Sequence, residues 1–172
     1  MGLVQQIRAA IEPLLGPAEF EADVGYPGAP LERSAPGGKT PRRLLHAYAR
    51  SDEFKALATN AQVAEVLGSL LAGSVCLSQC HHNCIMTKHP GFSSATLWHQ
   101  DVRYWSFERP ELISAWFALG AETQANGALW VIPGTHTLDF AAQRLDADLF
   151  LRPELAENQA LIQRAEVVEL QA

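Results

Sequence analysis

Apolar positions along the chain first follow a helical period and then change character. Leu3, Ile7, Ala10, Ile11 and Leu14 recur at the spacing of one helix face, and Gly16-Pro17 ends that predicted helix. From Phe20 to Pro41 the apolar period disappears among prolines and glycines, which reads as a long loop. Ser51 is placed to cap a short helix carrying Phe54 and Leu57. Asn60 is placed to cap another through Val63, Val66, Leu67, Leu70 and Leu71 that stops at Gly73. Beyond Gly73, short β-branched and aromatic segments alternate with turns. The predicted strands are Ser74–Cys80, His82–Lys88, Ala95–Asp101, Leu112–Leu119, Ala128–Ile132 and Glu166–Leu170. Turns are expected at His89-Pro90-Gly91, Asn126-Gly127 and Pro133-Gly134.

Helices followed by many antiparallel strands predict an α+β chain built around a sandwich or jelly roll. At 172 residues, without repeats, the chain reads as a single domain. Residues 1–73 form its helical and loop part, and residues 74–172 its strand-rich core.

Charge narrows the function. The net charge is −6, and no Lys/Arg stripe suits nucleic acid. Lys39, Arg42 and Arg43 form a short basic cluster that reads as solvated loop. No apolar run approaches the roughly 18 residues of a membrane span. The N-terminus resembles neither a signal nor a transit peptide, so a cytoplasmic protein is the expectation. RSAPGGKT at Arg33–Thr40 echoes the end of a phosphate-binding loop. It lacks the first glycine and a preceding buried strand, which leaves an ordinary loop. Cys76, Cys80 and Cys84, beside His81 and His82, lack the paired spacing of structural zinc or cluster sites. Buried free thiols are the expectation there.

The chemistry centres on His99-Gln100-Asp101. On a strand, side chains two apart leave the same face, so His99 and Asp101 project together and Gln100 away from them. An imidazole and a carboxylate on one face, completed by a second His, make the facial triad of non-haem Fe(II) oxygenases.

The surrounding text strengthens that reading. NCIMTKHPGFSSATLWHQDVRYW, followed by ELISAWFALGAETQANGALWVIPGTHTLDF, closely resembles the phytanoyl-CoA dioxygenase family from Asn83 to Phe140. The resemblance implies a double-stranded β-helix, the jelly-roll or cupin-like core, and makes His99 and Asp101 iron ligands. It implies an Fe(II)-dependent dioxygenase that uses 2-oxoglutarate and O2 to hydroxylate a small-molecule or acyl substrate. Trp116 matches a tryptophan that contacts 2-oxoglutarate in relatives, with plain core packing as the alternative. Cys84 aligns with a position that reaches the co-substrate in some members. Lys88, predicted on the same strand face, pairs with a substrate or co-substrate carboxylate or else with a surface acid. His136, in the Pro133-Gly134-Thr135-His136 turn, reads as a loop hydrogen-bonder.

Members close the triad with a second His on a later strand, followed by an Arg for the distal carboxylate of 2-oxoglutarate. The sequence AEVVELQA ends where that strand is expected, and neither residue occurs at the matching place. The expectation is therefore a jelly roll lacking its C-terminal strands. Two functions remain open: an oxygenase, or an inactive family member serving as a binding or interaction module.

Overall fold

The structure, a computed structural model, describes residues 18–79, 83–89, 91–105, 107–109 and 111–171. The predicted Leu3–Leu14 helix lies outside the described residues, as do Cys80, His81 and His82. The α+β expectation holds: the described residues form a few short helices and two small antiparallel sheets. They divide into two compact units, one within Met1–Ser94 and Glu111–Leu119, the other within Ala95–Pro110 and Gly120–Ala172. No helix of the described residues is long and apolar enough to cross a membrane.

In the first unit a three-stranded sheet has the order β1 (Ala18–Phe20), β2 (Pro41–Leu45), β3 (Cys84–Met86). Leu44 pairs with Ala18 on one side and Ile85 on the other, and it is fully buried. Phe54, on helix α1 (Asp52–Ala58), joins Leu44 and Ile85 to make the apolar core of this unit. Both helix caps predicted here are present. The Phe54 amide donates to Ser51 Oγ at 3.4 Å. Asn60 Oδ1 accepts from Gln62 and Val63 and opens helix α2 (Ala61–Leu71). That helix ends through Ala72 in the left-handed region, with the Gly73 amide donating back to Gly68 O. Leu44→Ala should cost about 2–5 kcal/mol, because a fully enclosed site relaxes little around a lost side chain. Chemical denaturation measures this; a loss under about 0.5 kcal/mol, the range of surface changes, would contradict Leu44's central place.

One sequence expectation is amended at its ends in this unit, and another fails. The long Phe20–Pro41 loop carries a strand end and a single helical turn, Glu21–Asp23, and the strand β2 follows it. Arg42 is not solvated: it lies on the buried face of β2 with Leu44 and is 3% exposed. It faces the fully buried Glu21, with Arg42 Nη1 at 3.6 Å from Glu21 Oε2 and 3.0 Å from Ser94 Oγ. Ser94 donates from both its amide (3.1 Å) and its hydroxyl (2.7 Å) to that same carboxylate oxygen. Among the described residues, buried Glu21 Oε1 has no hydrogen-bond partner. A lone cation on a strand is invisible as a core residue until its partners, far away in the chain, are known.

In the second unit β4 (Leu129–Val131) pairs with β5 (Glu166–Val168), setting Trp130 opposite Val167. Two of the expected turns are present, with Gly127 and Gly134 at φ 98° and 80°, a region glycine enters freely. Helix α3 (Ala156–Ile162), which the pattern did not predict, brings in Asn158, a fully buried polar side chain. Its amide nitrogen donates to the carbonyls of Arg144 (2.8 Å) and Arg152 (2.9 Å), and its oxygen accepts from Arg144 Nε (2.8 Å). A polar group can be buried this way because all three bonds are made. They tie down both ends of the loop that carries Phe150.

Three predicted strands are absent from the described residues. Residues 74–79, residues 112–119 and the segment leading to Asp101 form no ladders, and Asp101–Tyr104 is a 3-10 turn. Short apolar runs have the composition of strands, but a strand exists only where a partner accepts its hydrogen bonds.

Candidate functional site

The His99-Gln100-Asp101 segment lies in the second unit. Although it forms no ladder, Gln100 has extended backbone angles, φ −97° and ψ 135°, so the side chains still alternate. His99 Nε2 and Asp101 Oδ1 stand 3.4 Å apart. That exceeds the usual hydrogen-bond range of about 2.7–3.2 Å, so the two atoms face each other across a gap. His99 Nδ1 donates to the carbonyl of Leu97 at 2.7 Å, since a carbonyl only accepts. In the neutral ring this leaves the lone pair on Nε2, the atom turned toward Asp101.

Two ligands about 2.1 Å from a divalent ion and at right angles lie about 3 Å apart. The observed separation suits two adjacent ligands at a slightly wider angle. Among the described residues no group of three His, Cys, Asp or Glu side chains could hold a metal. The pair therefore fits as part of a coordination sphere.

What surrounds the pair is aromatic. The His99 ring meets Tyr104 and Phe150 edge-on, with centroids at 5.3 Å and 5.5 Å. Phe150 is buried, held by its own amide donating to Asp146 Oδ1 (2.9 Å). The next amide, of Leu151, donates to Trp98 O (2.8 Å) and binds this loop to the residue before His99. Arg103 sits over Phe150, its guanidinium carbon 3.6 Å from the ring centre.

Gln100 points away from the pair, as alternation predicts, and that orientation gives it a task. Its Nε2 donates to the carbonyls of Thr135 (2.8 Å) and Leu138 (3.0 Å), at the two ends of the turn after Pro133-Gly134. His136, expected to be the hydrogen-bonder of this turn, is exposed. The turn's bonds come instead from Thr135 Oγ1, Thr137 Oγ1 and Gln100. No local pattern marks Gln100, because its acceptors lie 35 and 38 residues away.

The other sequence candidates, Cys84, Lys88 and Trp116, belong to the first unit. Cys84 is partly buried on β3, opposite Leu45. Cys76 is exposed, which corrects the expectation of buried thiols. Lys88 lies beyond the end of β3, and its Nζ donates to Ser94 O at 3.0 Å. Burial, then the charge of Arg42, holds the Lys88 ammonium below the usual lysine range, with Glu21 opposing. Trp116 is 43% exposed on an irregular segment, so core packing does not describe it.

The sequence profile of the phytanoyl-CoA dioxygenase family matches residues 4–172. An ectoine dioxygenase of Sphingopyxis alaskensis is 31% identical over 134 residues, 75% of this chain and 40% of that protein. The phytanoyl-CoA dioxygenase 1 of rice, Oryza sativa subsp. japonica, is 31% identical over 83 residues, 48% of this chain and 28% of that protein. A probable phytanoyl-CoA dioxygenase of Caenorhabditis elegans is 33% identical over 78 residues, 43% of this chain and 25% of its own length. The chain thus spans less than half the length of these relatives. No solved structure matches it.

Proposed function

Since the chain belongs to the phytanoyl-CoA dioxygenase family, we propose that it serves a dioxygenase activity in which His99 and Asp101 hold Fe(II). With 2-oxoglutarate as co-substrate and O2, bound iron would supply the oxidising power to hydroxylate a small-molecule or acyl substrate. The observation that carries the reading is His99 Nε2 facing Asp101 Oδ1 at 3.4 Å, with Nδ1 committed to Leu97 O. The Leu97 bond sets the tautomer, and the Tyr104 and Phe150 edges hold the ring plane. Both reduce the freedom lost when a metal is bound. The jelly-roll core and the co-substrate roles of Cys84, Lys88 and Trp116 belong to the same proposal and rest on the resemblance.

Anaerobic Fe(II) titration of the purified protein, followed by succinate release from 2-oxoglutarate, tests the reading. Metal binding that Asp101→Ala leaves unchanged would refute it. A second reading, a non-catalytic binding module, draws on the two-ligand set found among the described residues. Iron binding without succinate release would favour it.

Gln100 supplies a finer test. In Gln100→Met the side-chain length is kept, but both bonds to the Thr135–Leu138 turn are lost. Loss of a group that orients a ligand typically costs about 10–100-fold in metal affinity. Fe(II) affinity should fall by that factor with the melting temperature little changed, and an affinity equal to wild type would deny Gln100 this role.

A further inference from the structure

We propose that Arg103 binds a carboxylate or phosphate group brought in beside His99 and Asp101, so that a ligand handled there is anionic. For its catalytic meaning the inference rests on the metal reading of that pair; the charge it detects does not. Arg103 lies in the turn that Asp101 opens, Asp101–Tyr104. Its guanidinium carbon is 3.6 Å from the Phe150 ring centre and 4.6 Å from that of Tyr104, the two rings that stand edge-on to His99. Imidazole and guanidinium therefore share their aromatic neighbours. Nη1 donates to Tyr104 Oη at 2.9 Å.

Among the described residues the side-chain partners of Arg103 are neutral: one hydroxyl and two ring faces. Among the described residues no carboxylate comes within 4.0 Å of its guanidinium. In the same unit Arg144 and Arg152 have Glu157 (3.5 Å) and Glu154 (2.7 Å). A chain of net charge −6 has acids to spare, yet none among the described residues pairs with this partly buried cation. Desolvating a cation without a counter-ion is costly, and an arriving anion recovers that cost. A guanidinium is itself planar, and its N–H edge can grip a carboxylate or phosphate with two parallel bonds.

Two sources could bring the anion: the distal carboxylate of 2-oxoglutarate, or an acidic group of the primary substrate. The test titrates the protein anaerobically with 2-oxoglutarate and Fe(II), and separately, without metal, with glutarate and with inorganic phosphate. Absorbance follows the first titration and tryptophan fluorescence the other two. Arg103→Gln and Arg103→Met should weaken at least one ligand by about 10- to 100-fold, the range for a lost charged hydrogen bond. Arg103→Lys should fall between, because it keeps the charge without the flat fork. A loss confined to 2-oxoglutarate places the co-substrate's carboxylate at Arg103. A loss confined to the metal-free ligands places the substrate's anion there. Wild type that fails to bind Fe(II) while still binding phosphate through Arg103 would overturn the metal reading and leave this inference standing. Unchanged affinities in both neutral variants, with circular dichroism showing an intact fold, would overturn the inference, as would a wild type that binds none of the three.

Discussion

His99→Ala is expected to lower the affinity for Fe(II) by at least about a hundredfold, beyond the 10–100-fold range for losing an outer partner. Under the proposed dioxygenase function, succinate release from 2-oxoglutarate should fall to the level of free iron. The reason is the number and quality of donors. Divalent iron sits low in the affinity order of first-row metals, so each protein ligand counts heavily. The described residues offer two facing donors, His99 Nε2 and Asp101 Oδ1, and the variant keeps one. It also releases the Leu97 carbonyl and empties the space beside Tyr104 and Phe150. A destabilised fold could mimic metal loss, so His99→Gln serves as the control. It fills the space and retains polarity but cannot reproduce an imidazole anchored at Nδ1. Metal affinity and turnover near wild type in both variants would remove His99 from the site.

Arg42→Met should destabilise the protein by about 3–5 kcal/mol, the cost of leaving a buried charge without its partner. For a chain of this size that is a melting-temperature drop of roughly 6–20 °C. Glu21 is fully buried; its Oε2 takes two bonds from Ser94 and faces Arg42, while Oε1 has no hydrogen-bond partner among the described residues. Without Arg42 the two Ser94 donors face a carboxylate that has lost its compensating charge. Glu21→Gln added to Arg42→Met removes the stranded charge, so the double variant should recover part of the loss. Denaturant unfolding of the four proteins in this cycle gives the coupling directly. Additive effects within about 0.5 kcal/mol would show that the two side chains do not act as a pair.

Sequence and structure divide along the range of the interactions involved. The helices at Asp52–Ala58 and Ala61–Leu71 were legible because their signals, the Ser51 and Asn60 caps, act within three residues. The turns at Gly127 and Gly134 were legible because a positive φ is a property of one residue. The His-x-Asp pair was legible for a related reason: an extended residue between two others turns both to one side, with or without a ladder. Its spacing within a long stretch resembling one family also carried the family assignment, which depends on no contact at all.

Only the tertiary structure decided the rest. Residues 95–101 and 112–119 have the composition of strands, yet no described strand pairs with them. Arg42 looked like loop charge, and its burial is decided by Glu21 and by Ser94, 52 residues away. Gln100 looked idle until the carbonyls of Thr135 and Leu138 were brought to it. Arg103 acquires its meaning from Phe150, which Asn158 helps to place. A local pattern records what a residue can do with its neighbours in sequence. Whether a polar side chain becomes a core ion pair, a clasp or a cation stacked on rings depends on partners that folding supplies.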